Sequence, residues 1–137
     1  MIHLPGASDD LRELAQRGVP HKYRKGRLLI EEGDQAYTMY IVLSGRLRAF
    51  SAHPVNGREI TYGTYGPGDY VGEMSLDGGP RSASVETRED TVCAAVTRTT
   101  REAFIAGRPA FAFELLAKVS GSARRAFRGP RAQAHAQ

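Results

Sequence analysis

Between Tyr23 and Thr97 the chain is cut at short intervals by turn signals. They are Glu32-Gly33-Asp34, Ser44-Gly45, Asn56-Gly57, Gly66-Pro67-Gly68-Asp69 and Asp77-Gly78-Gly79-Pro80. The stretches between them favour strands. Thr38 to Leu43 is β-branched, aromatic and apolar on both faces, as in a buried strand. Ser82 to Arg88 alternates Ala83, Val85 and Thr87 against polar neighbours, and Val92 to Thr97 is another short apolar run. Many short strands at this spacing predict an antiparallel sandwich or barrel. Asn56-Gly57 predicts a tight hairpin, because both residues tolerate positive φ.

Helices flank this zone. A short one is expected over residues 8–16, capped by Ser8 or Asp9, with Leu11, Leu14 and Ala15 on one face and Gly18 and Pro20 ending it. Thr99 and Glu102 have capping-box spacing for a second, which Gly107 and Pro109 break. A longer helix is expected from Pro109 to Phe127, roughly 28 Å long. Leu116, Val119, Ala123 and Phe127 form its apolar stripe, and Gly121 weakens its middle. Residues 128–137 carry no core-forming side chain and are expected to be a disordered basic tail. The expectation is one domain over 1–127: mainly β with flanking α-helices, an antiparallel β-roll or jelly-roll barrel.

Hydrophobic residues make up 41% and charged residues 25%, which fits a folded globule. No apolar run approaches the roughly 18 residues of a membrane span. The N-terminus lacks the basic and apolar regions of a signal peptide. The single cysteine, Cys93, excludes an internal disulfide and a cysteine-based zinc site, and a cytoplasmic location is expected. The net charge is +4 and the pI about 9.5. Lys118, Arg124, Arg125, Arg128 and Arg131 all follow the last acidic residue, Glu114, so the excess of positive charge belongs to the C-terminal end.

Seven of the fifteen glycines lie between Gly57 and Gly79. Here the chain reads Gly72-Glu-Met-Ser-Leu76, then Pro80-Arg-Ser-Ala-Ser-Val85. Gly72 permits close backbone approach. Residues 73–76 can form one helical turn whose free N–H groups favour an anion. Arg81 supplies a rigid cationic fork suited to phosphate, and Ser82 adds a hydroxyl. Glu73 can accept hydrogen bonds from hydroxyls such as those of a ribose. A small phosphorylated sugar fits this chemistry. From residue types alone a ligand-free Glu73–Arg81 ion pair fits as well.

These residues resemble the phosphate-binding cassette of cyclic-nucleotide-binding domains. Glu32-Gly33-Asp34 and Tyr40 to Gly45 resemble the family's earlier turn and strand, and the likeness covers about residues 11–127. The resemblance implies a β-roll that binds a cyclic nucleotide and is not an enzyme. It implies that Glu73 accepts the ribose 2′-hydroxyl, that Gly72 with the backbone at Met74 and Ser75 shapes the cradle, and that Arg81 pairs with the cyclic phosphate. Ser82 and Ala83 would add donors. Ser after the arginine leans toward cAMP, with cGMP the alternative. Tyr62 either lines the sugar or base or is a packing residue. No cofactor is implied beyond this ligand.

The chain departs from the family's bacterial regulators after the long helix. About ten residues follow Phe127, too few for a helix-turn-helix, so DNA binding is not expected of this chain alone. A stand-alone sensor and a truncated catabolite-activator-type regulator both fit. The 109–127 helix could pair with its twin in a homodimer. Gly129 and Pro130 stand where polar base contacts would be expected, and neither side chain can hydrogen-bond adenine. Two rival readings arise. A metal-dependent barrel enzyme fails because His3, His21, His53 and His135 are scattered and Cys93 reads as a small hydrophobe. A ligand-free protein-interaction module that keeps the barrel is countered by the intact Glu73 and Arg81.

Overall fold

The computed structural model describes residues 4, 6–33, 38–72 and 83–115. Chain order is α1 (Asp9–Arg17), β1 (Val19–Tyr23), β2 (Leu28–Ile30), β3 (Met39–Ser44), β4 (Leu47–Ala52), β5 (Glu59–Tyr65), β6 (Tyr70–Val71), β7 (Ser84–Thr87), β8 (Thr91–Val96) and α2 (Arg98–Ala106). A third helix, α3, runs over 109–115. The strands form two four-stranded antiparallel sheets, ordered β1-β8-β3-β6 and β2-β7-β4-β5. This is the expected mainly-β roll with flanking helices.

Two apolar clusters explain the layering. Ile30, Val42, Leu47, Ala49, Val71, Val85 and Cys93 come from both sheets and pack between them. Met39, Ile41, Tyr70, Ala94 and Val96, on the other face of the first sheet, pack against Leu4, Leu11, Leu14, Ala15, Phe104, Phe111 and Leu115. The first sheet is therefore covered on both faces, which is why β3 and β8 carry apolar residues without strict alternation. The second sheet turns its outer face to water. There Arg48 lies over the Phe50 ring at 4.3 Å, donates from Nε to Glu86 at 2.9 Å, and reaches Glu59 at 2.6 Å and Thr61 at 3.0 Å. Burial works against the Arg48 charge, but the bonds to Glu59 and Glu86 outweigh it and hold its pKa above the ordinary value.

Several expectations need correction. Ser8 caps α1 as expected, accepting from the Leu11 N–H at 3.1 Å. The strand zone, however, begins at Val19 and not at Tyr23. Pro20 does not prevent this, because β1 is an edge strand paired only with β8. The β4–β5 connection is not a tight Asn56-Gly57 hairpin. His53 donates to the Arg58 carbonyl and Gly57 to the His53 carbonyl, so four residues form the tip and only Gly57 takes positive φ. The Asn56 side chain is used instead to accept from the Arg58 N–H at 2.9 Å. Thr97, not Thr99, caps α2, accepting from the Thr100 N–H at 3.2 Å. β8 ends at Val96, so the cap follows the strand directly, and Glu102 pairs with Arg98 one turn in, at 2.8 Å. The stripe Leu116, Val119, Ala123 and Phe127, and the tail 128–137, lie outside the described residues.

The helices are bound to one another by aromatic and ionic contacts. Phe104 meets Phe111 edge to face at 5.4 Å, and the guanidinium of Arg108 lies over Phe104 at 4.0 Å. Arg108 also reaches back to α1, pairing with Asp10 at 3.4 Å and with Glu13.

Candidate functional site

Of the residues singled out by sequence, Gly72, Ala83 and Tyr62 are among those the structure describes. The turn before β6 is built by its own sequence. Pro67 supplies a fixed φ, Gly68 takes φ of +90°, and the Asp69 carboxylate accepts from the Gly66 N–H at 2.9 Å. The Gly68 N–H then donates to the Val42 carbonyl, and the Val42 N–H to the Asp69 carbonyl, both at 2.9 Å. That exchange sets β6 beside β3, with Tyr40 opposite Val71 and Ile41 opposite Tyr70. Gly72 follows at φ of +92°, a left-handed conformation that favours glycine. The chain next appears at Ala83, which leads into β7 of the other sheet. Glu73, Met74, Ser75, Arg81 and Ser82 lie outside the described residues.

Tyr62 stands on a β-bulge. Ala49 pairs with Gly63 and Phe50 with Thr61, which leaves Tyr62 as the extra residue on β5. It packs, half-buried, on the apolar cluster between the sheets, as do Ala83, Tyr23, Tyr40 and Tyr65. Val71, which precedes Gly72, belongs to that cluster. Val71, Ala83 and Tyr62 thus pack on the same cluster between the sheets. Gly63 permits such a bulge, but its place is set by the pairing of β5 with β4.

Burial raises the Tyr23 pKa, and the neighbouring Tyr40 and Cys93 raise it further against a smaller opposing effect of Arg27. Burial pushes the Cys93 thiol up to about 12, so it is a packing group and not a nucleophile. Among the described residues no group of three or more His, Cys, Asp or Glu side chains could hold a metal ion.

Comparison with known proteins agrees with this geometry. The family model for the cyclic nucleotide-binding domain matches residues 20–108. The cyclic AMP receptor protein of Thermus thermophilus is 39% identical over 105 residues, 76% of this chain and 48% of that protein. The CRP-like cAMP-activated global transcriptional regulator of Mycobacterium tuberculosis is 31% identical over 113 residues, 82% of this chain and 50% of that protein. The chain thus spans about half the length of the curated relatives it matches. Among solved structures, the Thermus thermophilus catabolite activator protein superposes with a TM-score of 0.76 at 34% identity, over 89% of this chain and 57% of that one. A cyclic nucleotide-binding domain from Methylobacillus flagellatus gives 0.74 at 26%, over 92% and 74%. With the crossover, the bulge and the two-sheet roll all in place, the chain belongs to the cyclic nucleotide-binding domain family.

Proposed function

We propose that this chain is a cAMP sensor domain that binds its ligand at the β6–β7 crossover and turns binding into movement of its helices. The observation that carries the reading is Gly72. It stands in the left-handed conformation at the end of β6, where the sequence Gly-Glu-Met-Ser-Leu begins. In this reading Glu73 accepts the ribose 2′-hydroxyl, and Gly72 with the backbone at Met74 and Ser75 shapes the cradle. Arg81 pairs with the cyclic phosphate, aided by Ser82 and Ala83, and Tyr62 faces the sugar or base from its bulge. Two relatives whose names speak of cAMP support that nucleotide over cGMP. Ligand and protein part unchanged, so the domain is a binder and not an enzyme, and no cofactor enters.

The output in this reading is conformational. The bound phosphate draws in the Arg81 segment, and the helix beginning at 109 shifts to cover the base. Binding drives that shift only by favouring one arrangement over the other. A homodimer through the 109–127 helix fits the scheme, as does work in the cytoplasm, and DNA binding is left to segments other than this one.

Calorimetric titration with cAMP, cGMP and AMP tests the reading, with Arg81→Ala as control. The expected result is micromolar or tighter binding of cAMP. Losing the charged hydrogen bond of Arg81 should cost about 1.5–3 kcal/mol, which is roughly 10- to 150-fold in affinity. No heat with any nucleotide, and no thermal stabilisation, would overturn it in favour of a ligand-free interaction module.

A further inference from the structure

The near-neutral charge of residues 1–114 hides a strongly basic end. Three separate segments meet there: the β1–β2 turn, Arg46 before β4, and the β7–β8 turn. Two buried threonines hold them together. The Thr87 hydroxyl accepts from the Arg27 N–H at 2.8 Å and donates to the Arg24 carbonyl at 2.7 Å. The Thr91 hydroxyl accepts from the Arg46 N–H at 3.1 Å and donates to the Glu89 carbonyl at 2.8 Å. Backbone bonds from Gly26 to Thr87, Thr87 to Arg27 and Arg88 to Arg46 complete the junction. Thr87 and Thr91 are 2% and 1% exposed, so these bonds are shielded from water.

The junction gathers Lys22, Arg24, Lys25, Arg27, Arg46 and Arg88, all exposed, against only Glu89 and Asp90. Asp90 is occupied by the Lys25 N–H at 3.0 Å, and Glu89 stands 4.0 Å from Arg46. Among the described residues the side chains of Lys22, Arg24, Lys25, Arg27 and Arg88 have no ion-pair partner. Elsewhere Arg12, Arg17, Arg48, Arg98 and Arg108 pair with carboxylates, while Arg58 stands exposed at the β4–β5 tip. Unspent cations on a rigid backbone junction attract an anionic partner at little ordering cost.

An exposed aliphatic side chain chooses between anionic partners. Leu28, 45% exposed, directly follows Arg27. A phosphate backbone would make no use of it, whereas protein interfaces combine apolar contact with arginine. We infer that this basic end, from Lys22 to Leu28 with Arg46 and Arg88, is a docking surface for an acidic segment of another protein that also carries aliphatic side chains. The surface is distinct from the nucleotide site. β7 runs from Ser84 beside the crossover to Thr87 at the junction, three residue steps or about 10 Å. The inference therefore does not rest on the cAMP reading.

The test uses the full chain and a fluorescein-labelled ten-residue peptide alternating Glu and Leu, followed by anisotropy without nucleotide. Binding is expected at 20 mM salt, weakened at least fivefold at 200 mM. Combined Arg24→Ala, Arg27→Ala and Arg88→Ala should weaken it at least tenfold, and Leu28→Ser at least threefold. The single variants Lys25→Ala and Arg88→Ala, each with an unchanged unfolding temperature, serve if the triple variant does not fold, and each should weaken binding at least twofold. A chain with Arg124, Arg125, Arg128 and Arg131 changed to Gln should still bind. The inference is overturned by no binding at 20 mM salt, or by loss with the tail variant but not with the junction variants. It is also overturned if a 20-base-pair duplex binds the junction more tightly than the peptide at equal salt.

Discussion

The hydroxyl of Ser8 donates to the Glu114 carboxylate at 2.7 Å, across 106 positions of sequence. The same oxygen accepts from the Leu11 N–H and so caps α1. One atom thus starts the first helix and ties it to α3. Ser8→Ala should cost about 1–2 kcal/mol, from a lost cap and a lost hydrogen bond. Ser8→Asp keeps the cap but sets two carboxylates against each other. It should be less stable than wild type at pH 7 and recover when combined with Glu114→Gln. Thermal unfolding of the four proteins checks this, and equal midpoints for wild type and Ser8→Ala would refute it.

Arg48 joins three strands on the open sheet, with only 11% of its side chain exposed. Removing it leaves Glu59 and Glu86 without their shared cation. Arg48→Ala should destabilise by about 1–3 kcal/mol, more than loss of any surface pair such as Arg98–Glu102, which is worth about 0.3–0.5 kcal/mol. Arg48→Lys should recover only part, because an ammonium cannot span Glu86, Glu59 and Thr61 as the planar fork does. Urea denaturation of the two variants distinguishes a network from a single charge.

Gly45 joins β3 to β4 at φ of +93°, with no room for a side chain. A Cβ there would stand 2.4 Å from Thr91 Oγ1 and 2.6 Å from the Asp90 carbonyl oxygen. Gly45→Ala combines left-handed strain with a backbone clash, and a loss of at least about 2 kcal/mol is expected. Gly57, also at positive φ but with open space around it, should lose only the strain, about 1 kcal/mol. Comparable losses at the two sites would show that the Thr91 contact does not matter.

Cys93 ties stability to alkaline pH. Its thiol has an ordinary pKa of 9.0, and burial raises this to about 12 in the folded chain. The folded state keeps the proton that the unfolded state releases. Stability contributed by this group is therefore intact below pH 9 and lost as pH rises toward 12, at up to about 1.4 kcal/mol per pH unit. Tyr23, also raised by burial, adds to the loss at the upper end of that range. Cys93→Ala should flatten the slope between pH 9 and 10, measured by denaturant titration. An unchanged slope would show that the thiol titrates normally in the fold.

Much of this fold could be read from the chain because its signals were local. Ser8, Gly18 and Gly107 bound helices through hydrogen bonds to near neighbours, and Gly66-Pro-Gly-Asp69 folds on itself. The misreadings arose where two local signals competed. Thr97 and Thr99 both offer a cap, and the choice falls to where β8 stops. Asn56-Gly57 offers a two-residue turn, but the register of β4 on β5 leaves a longer tip. Of the candidate site, Gly72 was marked by its glycine-rich motif, and it takes a left-handed conformation. The bulge that turns Tyr62 inward depends on pairing with Ala49 and Phe50, which no window around Tyr62 contains. The basic end was equally hidden, since its cations come from three segments brought together by Thr87 and Thr91.

β6 lies in the helix-covered sheet and β7, the next described strand, in the open one. The two sheets are like facing pages, and the chain is stitched to one page by β6 and to the other by β7. Any molecule resting on both stitches acts as a clasp. Its binding energy adds to the resistance of the pages to sliding past one another, while every strand ladder within a page stays intact. In the cAMP reading proposed above, a signal sent from such a place travels as shear between two preserved layers, and the helices, riding on only one of them, move with it.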